Sequence, residues 1–155
     1  MLPQILCISF LQLSSSRGVD KESLRVANES LGSQAITWTV DFHLSGGLAG
    51  VDRLLTISSS GDLSTEDRRQ PARVTAKATT AQLDQIAPLV LRSKAIPESR
   101  RGDSPCRDCL SYSLAIQIGG ERFAARLDDT TLPGSGFEEL ARALSALLNR
   151  TLSAK

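Results

Sequence analysis

The chain has 155 residues, with 18 Lys and Arg against 17 Asp and Glu, a formal charge of +1. That balance offers no basic field to neutralise a phosphate backbone and disfavours general nucleic-acid binding. Apolar residues make up 41 % of the chain, and no apolar run reaches the roughly 18–20 residues of a membrane-spanning helix, so the composition fits a small globular domain. One His, three Cys and few aromatics (Trp38, Tyr112 and four Phe) leave little material for a metal centre, a His-based catalytic device or a base-stacking platform. The expectation is a chain that is not an enzyme and has no cofactor, no metal and no catalytic residue.

Residues 1–34 read as an accessory extension. Ile5 to Leu13 is apolar apart from Gln12, but no Lys or Arg precedes Arg17, so the positive start of a secretory signal is missing. That tilts the balance towards the cytoplasm without fixing the compartment. Lys21 to Leu31 has the makings of a short exposed helix with no regular apolar face. The segment is expected to be poorly ordered, or to follow from a start codon assigned too early, ahead of a single domain spanning 35–155.

From Ile36 the pattern changes. Ile36, Trp38, Val40, Phe42 and Leu44 alternate with Thr37, Thr39, Asp41 and His43, the period of a half-buried strand. Ser45-Gly46-Gly47-Leu48-Ala49-Gly50 puts three glycines in six residues, a turn in which positive φ is open to the backbone. A second strand runs from Val51 to Ser58, and Gly61-Asp62 turns the chain. After a charged stretch from Glu66 to Arg69, Ala72, Val74, Ala76 and Ala78 alternate as a third strand. Thr79-Thr80-Ala81-Gln82 is spaced as a capping box and opens a helix on Leu83, Ile86, Ala87 and Val90, which Pro88 should kink or shorten. Arg92 to Cys109 is rich in Pro, Gly, Ser and charge and reads as a long surface loop.

The second half repeats the plan. Leu110 to Ile118 and Phe123 to Leu127 alternate around Gly119-Gly120, a two-residue hairpin turn. Ser135-Gly136-Phe137-Glu138 has a second capping-box spacing, before a helix with Phe137, Leu140, Ala141, Leu144, Leu147 and Leu148 on one face. These elements imply an α+β fold: an antiparallel sheet of four to five strands with two helices packed on one face, in the order hairpin–strand–helix–hairpin–helix.

Cys106-Arg107-Asp108-Cys109 is a CxxC pair. Structural zinc usually needs four ligands, and the remaining candidates, Cys7 and His43, lie elsewhere in the sequence. A thioredoxin-like role needs the motif at a helix start after a strand, whereas here it precedes a strand. What remains open is a local disulfide if the chain is exported, or two thiols if it is not. His43 falls on the polar face of the first strand and reads as a surface residue. Asp128-Asp129 either binds a cation or, as such pairs more often do, ends a strand and caps a turn. Arg101-Gly102-Asp103 matches the integrin tripeptide, and Asn28 and Asn149 begin glycosylation sequons; both signals are short and depend on a secretory context. The glycine segment is not a phosphate loop, since it has no Walker lysine and a strand follows it. It is either a tight turn with a bulge or a recognition loop that docks into another protein's cleft.

The Ser-Gly-Gly-apolar-Ala-Gly segment after a strand, the Tyr112-x-Leu114-x-Ile116 strand, the Gly-Gly turn, the Arg-bearing return strand, Asp128 and the Leu-rich last helix together resemble the emfourin family of small bacterial proteins. The likeness runs from about Thr37 to Leu148. Leu48 departs from the family pattern, standing where Phe or Ile is common, and the amino-terminal extension has no counterpart. The founding member of that family inhibits protealysin, a thermolysin-like zinc metalloprotease. The resemblance therefore implies a protein-binding inhibitor acting through Ser45, Gly46, Gly47, Leu48, Ala49 and Gly50, with a metalloprotease as partner. The rival expectation is a non-catalytic adaptor subunit of a larger assembly, its hairpin serving shape alone.

Overall fold

In the computed structural model, residues 36–70, 72–97 and 106–154 are described. The amino-terminal extension, its Lys21–Leu31 segment and sequon, Cys7, and the Arg101-Gly102-Asp103 loop lie outside the described residues. Four strands come first: β1 (Trp38–Gly46), β2 (Val51–Ser58), β3 (Asp62–Asp67) and β4 (Ala72–Lys77). They are followed by α1 (Thr80–Ser93), the hairpin β5 (Leu110–Ile118) and β6 (Glu121–Asp128), and α2 (Glu138–Ser153). The strands form one antiparallel sheet in the order β4-β3-β2-β1-β5-β6. The class is α+β with an antiparallel sheet.

The alternation on β1 separates two faces. Trp38, Val40, Phe42 and Leu44 are buried, while Thr39, His43 and Ser45 are half-buried and Asp41 is exposed. Val40 pairs with Ile57 and Ile116, and Phe42 with Leu55 and Leu114, so the inner face continues across three strands. Helix α2 contacts β1 through β4, and α1 packs against α2. Leu140, Ala141, Leu144, Leu147 and Leu148 of α2, and Ile86 and Val90 of α1, join the sheet residues in one core. All described residues belong to the compact unit Ala35–Lys155.

The structure corrects several expectations. The sheet has six strands, because Asp62–Asp67 pairs with both β2 and β4. Its alternation is short, and its inner residues are only Leu63 and Thr65, so flanking charge disguised it as a turn. Four strands therefore precede the first helix. Ile36 lies ahead of β1 and is 58 % exposed. Helix α1 opens on the expected box: the Gln82 amide donates to Thr79 Oγ1 and the Thr79 amide to Gln82 Oε1. It then continues five residues past Pro88. Pro88 and Asp84 both lie on the exposed side, where the Asp84 carbonyl, deprived of its amide partner, can turn to water.

The second box does not form. Helix α2 begins at Glu138 with Phe137 as its cap residue and no side-chain cap bond. Ser135 Oγ instead donates to the Leu132 carbonyl and accepts the Phe137 amide, while Glu138 accepts the Gly134 amide. These serines and glycines build a tight turn that drives Phe137, fully buried, into the core.

Thr65 is 1 % exposed and its hydroxyl has no hydrogen-bond partner, so folding strips it of water without compensation. Replacing it with Val keeps the shape and removes that cost. Thr65→Val should raise the urea midpoint of unfolding, by a stability gain on the order of 1 kcal/mol; a lowered midpoint would show that the hydroxyl is satisfied.

Candidate functional site

One end of the sheet collects the residues singled out by their chemistry. The β1–β2 connection is the glycine segment, in which Gly46, Gly47 and Gly50 all have positive φ. Gly46 has two reasons to lack a side chain: its φ is +89°, and a Cβ there would stand 2.6 Å from the Cys109 carbonyl oxygen. The Gly47 amide donates to that same carbonyl at 3.0 Å, and the Gly50 amide turns back to the Gly47 carbonyl at 2.9 Å. From the other side Arg69, in the β3–β4 turn, donates through Nη1 to the Ala49 carbonyl. The segment is thus a braced turn, and the backbone groups that brace it are engaged within the protein. What it displays is Leu48, 95 % exposed.

The Cys109 carbonyl belongs to a small covalent ring, since Cys106 and Cys109 are joined by a disulfide with Cα atoms 5.6 Å apart. Next to it, the two acidic residues at the end of β6 divide their work. Asp128 is 1 % exposed, and its Oδ1 accepts the amides and hydroxyls of both Thr130 and Thr131 at 2.6–2.9 Å. Asp129 accepts the Leu110 amide and the Tyr112 hydroxyl. Both tie chain segments together at the end of the strand.

His43 is half-buried on the face of β1 opposite Val40 and Phe42, with Nε2 2.8 Å from Asp52 Oδ1. Among the described residues its hydrogen-bond partner is Asp52. The same face carries Leu54, Ser113, Ala115, Ala124 and Arg126, around a shallow hollow of about 620 Å³. Asn149 sits inside α2, where its Oδ1 accepts from Arg53 Nη1; Arg53 also pairs with Asp67 at 3.0 Å. Burial works to raise the Asp67 pKa, but Arg53 and the Arg69 and Gln70 amides outweigh it and hold the carboxyl below its ordinary value.

One participant, Arg69, escaped the sequence reading, and Asp128, which it singled out, was not placed beside the CxxC pair. Arg69 looked like part of a charged stretch, and only the unrecognised β3 brings it under the glycine turn. Asp128 comes beside the CxxC pair because the turn at Gly119-Gly120 fixes the hairpin register and sets Ser111 opposite Asp128. Counting back from that turn would have placed them together. In comparisons with known proteins, no family model matches the chain, and no curated protein matches it.

Two outcomes follow. Gly46→Ala should destabilise the fold by roughly 1–3 kcal/mol, read as a lower urea midpoint, whereas Gly120→Ala, with open space around its added methyl, should cost less. Burial and the Asp129 carboxylate raise the Tyr112 phenol from its usual 10.0 to about 12. A raised folded-state pKa means that this contribution to stability is complete below about pH 10 and is lost between about pH 10 and 12. Tyr112 is the chain's single tyrosine, so ultraviolet titration reads it directly, and Asp129→Asn should lower its midpoint.

Proposed function

We propose that this chain is a non-catalytic protein-binding domain that inhibits a thermolysin-like zinc metalloprotease through the Ser45–Gly50 turn. The observation that carries the reading is Leu48: a large apolar side chain, 95 % exposed, on a turn braced by Cys109 and Arg69. An exposed leucine on a rigid tip suits insertion into an apolar subsite. The resemblance of the strand–glycine turn–strand segment to emfourins names the class of target. Gly47 N–H, Gly47 C=O, Gly50 N–H and Ala49 C=O maintain the turn itself, so the glycines act by shape and Leu48 makes the central contact.

A second reading, an adaptor subunit of a larger assembly, draws on a different observation. The sheet face that carries His43 offers a shallow hollow over Ala115 and Ala124, a surface broad enough for a partner and independent of the turn.

The purified chain, titrated into a panel of thermolysin-like metalloproteases during peptide hydrolysis, should inhibit saturably. Burying a leucine contributes about 1.5–3 kcal/mol, so Leu48→Ala should weaken inhibition roughly tenfold to a hundredfold. Its urea midpoint should stay unchanged, because the side chain touches little of its own fold. Absence of inhibition across the panel would overturn the inhibitor reading. A partner complex that survives Leu48→Ala but is lost in Ala124→Arg would establish the adaptor.

A further inference from the structure

The sequence reading set zinc aside because Cys7 and His43 were the only further ligands in view for the CxxC pair. The fold supplies another. Cys109 immediately precedes β5 and Asp128 ends β6, and the pairing of Ser111 with Asp128 carries both to the same end of the hairpin. One ligand atom from each of Cys106, Cys109 and Asp128 lies within 4.8 Å of the others. We propose that, once its disulfide is reduced, the chain binds a single divalent transition-metal ion of zinc type through the Cys106 and Cys109 thiolates and the Asp128 carboxylate.

Geometry and charge both support this assignment. Ligands about 2.0–2.3 Å from a tetrahedral zinc ion stand roughly 3.5–3.8 Å from one another, and the three groups already fall within 4.8 Å. Opening the S–S bond brings the sulfurs towards that separation without moving the two strands. The four donors from Thr130 and Thr131 hold the Asp128 carboxylate in its orientation, as outer-shell hydrogen bonds do for metal ligands. Two thiolates and a carboxylate that is 1 % exposed bring like charges together, which disfavours ionisation of the thiols. A dication reverses that balance and favours the deprotonated thiols. Two sulfurs and one oxygen suit zinc, cobalt or cadmium better than magnesium or calcium. Three protein ligands leave one position of a tetrahedral ion to water.

The chemistry balances with a trialkylphosphine as reductant. Phosphine and water become phosphine oxide, and the disulfide takes up two electrons and two protons to give two thiols. Metal binding then releases those two protons. The proposal is independent of the docking role, although the Cys109 carbonyl links the two places: disulfide and metal close the same four-residue ring beneath the glycine turn.

The test uses the full-length chain in a Cys7→Ser background, reduced with phosphine and freed of it under anaerobic conditions, then titrated with Co2+. One Co2+ per chain should bind, with a thiolate-to-cobalt charge-transfer band and tetrahedral visible bands that Zn2+ abolishes. The oxidised chain should show neither. Asp128→Asn keeps an oxygen for the threonine donors but loses the charge, and should weaken Zn2+ binding at least tenfold. Cadmium NMR of the unsubstituted site gives an independent readout, because the chemical shift separates a donor set of two thiolates and oxygen from a set of thiolates alone. Absence of the charge-transfer band in the reduced chain would overturn the site. Equal affinity in Asp128→Asn, or a thiolate-only cadmium shift, would remove Asp128 from it and overturn the proposal.

Discussion

Strand β1 is paired along nearly its whole length, with β2 on one side and β5 on the other, and its alternation decides both faces of the sheet at once. A slip of one residue would turn Trp38, Val40, Phe42 and Leu44 to solvent and drive Asp41 and His43 beneath the helices. The combined cost of four exposed apolar side chains and buried charge is many times the stability of a strand pair. The register is therefore rigidly specified, and its consequences reach the end of the strand. It sets Gly46 opposite both Val51 and Leu110, so the chain must reverse just where the segment arriving from Cys109 passes close by. A side chain at Gly46 would collide with that segment. The core thus dictates where the glycine has to be.

The same logic gathers the rest of the candidate site. Strand β3 pairs Arg53 with Asp67, which carries the following turn, and Arg69 in it, to the Ala49 carbonyl. The hairpin β5–β6 brings Asp128 and Asp129 back to the point where β5 begins, and there Asp129 holds the Leu110 amide and the Tyr112 hydroxyl. Three connections far apart in the sequence meet at one end because antiparallel pairing returns them there. The braced turn is a product of sheet register more than of local propensity.

Patterns with strong periodicity were legible in the sequence. The alternation of β1, β5 and β6 and the stripe from Phe137 to Leu148 identified the core residues directly, since their inner positions are aliphatic or aromatic side chains, all of them large except Ala125 and Ala141. Strand β3 was not legible: its inner face offers Leu63 and a threonine, and Asp and Glu beside them imitate a loop. Ser135 and Glu138 have the spacing of a helix cap, but Gly136, at φ +91°, breaks the helical path between them. The CxxC motif was visible, whereas its approach to Gly47 depends on the pairing of β5 with β1, which no local window contains. The exposure of Leu48 was legible, since it is the one large apolar side chain in a glycine-rich turn, whereas the bracing of that turn by Cys109 and Arg69 was not.

That prominence gains its meaning from the bracing around it. Fixing the backbone of one residue costs roughly 1–2 kcal/mol, and more for glycine. A free segment from Gly47 to Gly50 would therefore lose several kcal/mol on docking. A single buried leucine returns only about 1.5–3 kcal/mol, so a loose turn could not dock through Leu48 alone. In the folded chain the Cys109 carbonyl, the Gly50–Gly47 bond and Arg69 have already ordered these residues, and the cost is met when the sheet forms. Leucine burial then counts almost in full towards association. Rigidity has a second effect: with the Gly47 and Gly50 amides and the Gly47 and Ala49 carbonyls engaged at home, the turn resists being drawn out into the extended form that a protease needs to cut. On the proposed inhibitor reading, the contacts that fix Leu48 are the same ones that would let the turn block a cleft instead of serving as its substrate.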